Sequence, residues 1–178
     1  MARRIKMMLL AGVVVPGVVA CGGSTEGSPT AEGSATSTES VALFDPCTGI
    51  PDDALSVAGV IPTTEESGLG GNHQDGWEIC TWAGKKYFIT VFSTGKTVQE
   101  FEEKPGNVEF RDVVVAGRSG RQFKVEGASK DLGCDVLFPA EQGVVQLRVF
   151  NRYGLDDLED PCAVLTRVGE SIVPTFPN

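Results

Sequence analysis

The run "GWEICTWAGKKYFITVFS", residues 76–93, decides the fold. Its first half alternates: Cys80 and Trp82 fall on one side, and Trp77, Ile79 and Thr81 on the other, the period-2 pattern of a strand. The second half, "KYFITVFS", is β-branched and aromatic, a composition suited to a buried strand. Gly84 and Lys85 lie between the halves and supply a turn, so the two runs pair as an antiparallel hairpin.

Working outward, "TVQEFEEKP" (97–105) places Val98 and Phe101 three apart and stops at Pro105, which suits a helix of one or two turns. Three or four strand-like runs follow, drawn from "FRDVVV", "RQFKVE", "CDVLFPA" and "VVQLRVFN". "AGRSGR" joins the first two, with Gly117 and Gly120 available for a turn. Upstream, "DPCTGIPDDALSVAGV" (45–60) reads as a short helix that Pro51 opens, Asp52 and Asp53 favour electrostatically and Gly59 closes. At the other end, "EDPCAVLTRVGESIV" (159–173) offers Asp160 as N-cap and Pro161 at the first helical position. Leu165, Val168 and Ile172 then share one helical face, and Pro174 ends the run. Clustered hairpins without βαβ alternation predict an α+β domain over 41–178, a mainly antiparallel sheet of roughly five to six strands with helices at both ends.

Ahead of this domain, Arg3, Arg4 and Lys6 precede an uncharged run, Met7 to Ala20, too short to span a bilayer, which takes roughly 20 residues. Residues 1–20 therefore read as a signal peptide. Val18-Val19-Ala20-Cys21 resembles the lipobox of bacterial lipoprotein precursors. That resemblance implies that Cys21 takes a diacylglycerol on its thiol and becomes the new N-terminus. Residues 22–40 hold nine Ser or Thr and four Gly with no aromatic or basic residue, so 21–40 is expected to be a lipidated, solvated tether. Its root-mean-square reach is roughly 25 Å. Removing residues 1–20 leaves 12 basic residues against 24 acidic ones, a surface that phosphate backbones repel, so nucleic acid is excluded as a partner.

Cys47, Cys80, Cys134 and Cys162 contain no C-x-x-C pair, which argues against a zinc knuckle or redox motif. Four cysteines in an exported domain predict two disulfides. Of the three pairings, placement favours Cys47–Cys162, since both follow Asp-Pro ahead of a terminal helix, and Cys80–Cys134, since both sit in strand-like runs.

"FDPC", "CTW", "GCDVLF" and "DPCAVLTRV", spread over about residues 43–173, resemble the actinobacterial lipoproteins grouped as domain of unknown function 3558. The resemblance implies a lipid-anchored cell-envelope protein and brings no catalytic residues with it.

No motif points to a reaction. His73, the sole histidine, lies beside Asp75 in the glycine-rich "GLGGNHQDG" and reads as an exposed loop residue, not a general base with its partner. "GRSGR" lacks the nucleophile-elbow spacing, and "GLGG" lacks the Gly-Lys-Ser/Thr ending of a phosphate loop. "LDDLED" (155–160) lacks the glycine and distal glutamate of a calcium loop and reads as the acidic approach to the last helix. Trp77, Trp82, Tyr87 and Phe88 read as core and sheet-surface aromatics, with a sugar or lipid pocket as the alternative. No cofactor or metal is expected. The expected function is a non-enzymatic binding or accessory module on the extracytoplasmic face of the cell membrane, taking a small apolar ligand or an envelope protein. The alternative is an envelope hydrolase working through paired carboxylates.

Overall fold

The computed structural model describes residues 42–178. The expected signal peptide, Cys21 and the tether lie outside the described residues.

Seven strands form one antiparallel sheet: β1 (Glu66–Ser67), β2 (Trp77–Ala83), β3 (Tyr87–Thr94), β4 (Asn107–Val115), β5 (Arg118–Val125), β6 (Gly133–Ala140) and β7 (Gly143–Asn151). Their order across the sheet is β1-β2-β3-β7-β6-β5-β4. The 76–93 hairpin forms as expected, in register from Trp77 opposite Thr94 to Ala83 opposite Phe88. The strand count exceeds the expected five to six because β1 is only two exposed residues, too short to leave a periodic signal. The second hairpin also turns differently. Ala116 and Gly117, both at positive φ, make the whole turn, and Gly120 lies inside β5. A Cβ on Gly120 would stand 2.6 Å from Val136 Cγ1, so the missing side chain lets β6 and its Phe138 ring approach.

Among the described residues four α-helices accompany the sheet: α1 (Pro46–Gly49), α2 (Asp52–Val57), α3 (Val98–Glu102) and α4 (Pro161–Ile172). Asp160 caps α4 as expected, its side chain accepting from Ala163 N at 2.9 Å with Pro161 in the first turn. Leu165, Val168 and Ile172 are all buried. Alternation along β6 and β7 sends Val136, Phe138, Val145, Leu147 and Val149 into the main core with α4. The opposite face carries Leu137 and Val144 into a second cluster with Phe101 and Phe123. Among the described residues only α3, five residues long, packs there, with Trp77, Val98 and Phe110 around it. A capping box holds this short helix, Thr97 and Glu100 exchanging side-chain-to-backbone hydrogen bonds.

The disulfides correct the expected pairing. Cys47 bonds Cys80 and Cys134 bonds Cys162, with Cα separations of 5.3 and 5.1 Å. Cys80 on β2 and Cys134 on β6 do share the α4 side of the sheet, but β3 and β7 lie between their strands. Three inter-strand steps amount to about 14 Å, beyond the roughly 7 Å a disulfide can bridge. Each cysteine near a helix instead reaches the strand beneath it: Cys47 in α1 ties to β2, and Cys162 in α4 ties to β6.

Candidate functional site

The short α3 leaves part of its sheet face uncovered, and a cavity of about 280 Å³ opens there. Trp77, Phe92, Phe101 and Phe123 wall it. Their rings meet edge to face: Trp77 lies 6.2 Å from Phe92 and 6.1 Å from Phe101, both at 79°. Phe110 stacks behind Phe123 at 5.3 Å and 19°. The rim comes from two loops. In one, Gln74 Oε1 accepts from Leu69 N at 3.0 Å and closes the glycine-rich 68–76 turn beside the opening. In the other, Asn107 Nδ2 donates to Phe101 O at 2.9 Å, satisfying a carbonyl at the end of α3 while Lys104 projects at the mouth.

Strand register builds the floor. Arg148 on β7 stands opposite both Thr90 on β3 and Asp135 on β6, and Asp135 stands opposite Phe123 on β5. One row over, Ile79, Phe92, Gln146 and Leu137 align in the same way. The two rows place an ion pair within an aromatic surface. Asp135 is 1% exposed. Its Oδ1 accepts from Arg148 Nε at 2.7 Å and from Gln146 Nε2 at 2.5 Å. Burial pushes the Asp135 carboxyl above the usual aspartate range, against the opposing pull of Arg148 and Gln146. The Arg148 guanidinium also lies 5.2 Å from the Phe92 ring centre, so its orientation is fixed from two sides.

Of the four aromatics singled out in the sequence, only Trp77 lines this cavity. Trp82 is fully buried in the α4-side core. Tyr87 donates its hydroxyl to Ala58 O at 2.7 Å, and Phe88 lies 4.2 Å beneath the Arg152 guanidinium. His73 and Asp75 are both exposed, and no hydrogen bond joins them among the described residues. In "LDDLED", Glu159 forms a two-pronged pair with Arg167 at 2.6 and 3.1 Å, and Asp160 caps α4. Sequence reading missed Asp135, Gln146 and Arg148. Their only signal was polarity inside the otherwise apolar runs "CDVLF" and "VVQLRVF", which means little until the register is known.

A wider groove of about 750 Å³ lies on the other side of α3 and exposes two carboxylates, Glu102 and Asp112. Arg121 bridges them at 2.6 and 3.0 Å, which engages both acids in a surface ion-pair network. Cys47, Cys80 and Glu65 are grouped at metal-ligand spacing, but the disulfide consumes both sulfurs, so no thiolate is present to bind an ion.

The molecule is thus an α+β module, stapled by two disulfides, with an aromatic pocket floored by a buried ion pair. Over residues 16–175 the chain matches the family described as protein of unknown function (DUF3558), and it belongs to that family. No curated protein and no solved structure matches the chain.

Proposed function

We propose that the chain is a lipid-anchored protein on the extracytoplasmic face of the cell membrane, and that its folded domain is a non-enzymatic module binding a small apolar ligand beside α3. The observation that carries the binding half is the pocket itself. Four aromatic walls surround a few convergent polar groups, the usual make-up of a small-molecule site. The anchor half is supported by the basic front, the short apolar run and the Val18-Val19-Ala20-Cys21 junction. Two disulfides fit an oxidising compartment, and the family match begins at residue 16, ahead of Cys21. The cysteine framework further supports a place among actinobacterial envelope lipoproteins. At about 0.8 kcal/mol per buried methylene, two or three acyl chains hold such a protein on a membrane without a spanning helix.

Two experiments test the halves. Cys21→Ala abolishes acyl labelling and releases the protein from the membrane fraction; unchanged labelling and fractionation refute the anchor. Native mass spectrometry of the full chain finds a co-purified apolar molecule, which Val125→Trp, a bulky side chain at the half-exposed mouth, displaces. A ligand retained by that variant, or none in the wild type, refutes the binding site.

A further inference from the structure

We propose that the ligand is an organic acid, an apolar body ending in a single carboxylate, and that Arg148 and Lys104 receive its head. The inference rests on the ligand-site reading above and adds the chemistry of what enters.

Charge placement carries it. The chain has 24 acidic residues against 15 basic ones, yet the pocket is lined by two cations, Lys104 and Arg148, and by no carboxylate. Asp135, buried below the floor, holds Arg148 by Nε. The two Nη groups of Arg148 have no acceptor among the described residues, and neither does Lys104 Nζ. A guanidinium held by Nε and by the Phe92 ring is a pre-oriented fork, which suits a planar carboxylate better than a point charge does. Asp135 formally cancels one of the two cations, so the cluster holds one net positive charge, the complement of a monoanion. A cationic ligand finds no countercharge on these walls. The cavity, about 280 Å³, sits at the small end of ligand pockets, which suits a short chain or a single ring.

The test compares three probes that share an eight-carbon body: sodium octanoate, 1-octanol and octyl phosphate. Each is titrated into the full chain. The indole N–H resonance of Trp77 reads the pocket, and that of Trp82, the other of the two tryptophans and sealed on the opposite face, serves as the internal control. Octanoate is expected to shift Trp77 alone and to bind about tenfold tighter than 1-octanol, the scale of hydrogen bonds to a charged group. Lys104→Met, at an exposed position, is expected to erode that preference without altering 1-octanol binding. Arg148→Met alone strands the Asp135 carboxylate, so the double variant Asp135→Asn/Arg148→Met is measured as well; it is expected to bind octanoate no better than the alcohol. Equal binding of octanoate and 1-octanol to the wild type overturns the head-group assignment and leaves the apolar pocket standing. A preference for octyl phosphate overturns the carboxylate in favour of a phosphate ester. Failure of all three probes to move Trp77 overturns the pocket reading together with this one.

Discussion

Gly169 lies directly over Val115: a Cβ built on this α4 residue would stand 2.4 Å from Val115 Cγ1. The helix therefore approaches the sheet as closely as backbone permits at that point, and Val115 itself is buried. Gly169→Ala raises helix propensity by about 1 kcal/mol, while overpacking a tight contact costs roughly 1–3 kcal/mol, so the packing cost is expected to win. Urea denaturation is expected to show a less stable variant. Combining it with Val115→Ala relieves the clash and recovers the propensity gain, a non-additive pair in a double-mutant cycle.

Asp135 sets the sign of one pH effect. Its folded-state pKa lies above the unfolded value because burial penalises the charge, so ionising it as pH rises costs the native state. Acidification returns that stability as the carboxyl takes up a proton. Asp135→Asn has no proton to take up. Denaturation curves collected from neutral pH down toward the ordinary aspartate range are expected to show the wild type gaining on the variant. A wild type that loses stability relative to the variant on acidification refutes the assignment.

The disulfides close loops with sequence separations of 33 and 28 residues, each contributing about 3.5–4 kcal/mol in the chain-entropy account. Replacing Cys47 and Cys80 together by alanine is expected to remove roughly that amount and to leave the other bond intact. Non-reducing peptide mapping of the wild type is expected to find Cys47 linked to Cys80 and Cys134 to Cys162. A Cys80–Cys134 peptide contradicts the strand order.

Thr97 caps α3, the helix on the pocket side. Thr97→Ala removes the capping box and is expected to cost about 1 kcal/mol. Because α3 carries Phe101 into the pocket wall, acrylamide is expected to quench Trp77 more strongly in this variant while Trp82 emission stays protected.

Local features were legible in the sequence. The 76–93 hairpin announced itself through alternation over adjacent strands, and the start of α4 through Asp160-Pro161, because each depends on residues within a few positions of one another. Strand order was not legible. β7 inserts between β3 and β6, and no local pattern in "VVQLRVFN" records which neighbours it will have. That one insertion separates Cys80 from Cys134 and brings Gln146 opposite Phe92, while the β6–β7 hairpin sets Arg148 opposite Asp135. The cysteine pairing and the Phe92 side of the pocket floor were therefore hidden for the same reason. Gly120 shows the complementary failure: a glycine beside a turn reads as part of it, and only the neighbouring strand reveals that the position is small for packing.

The Cys47–Cys80 bond also determines how the domain carries load. A pull arriving along the chain from its N-terminal side meets that bond only five residues into the described structure and crosses directly into β2, near the middle of a hydrogen-bonded ladder. The intervening stretch, α2 and the glycine-rich rim included, sits on a covalent bypass and feels none of the tension, so a domain tugged from that end is gripped by its sheet and cannot be peeled from its first helix.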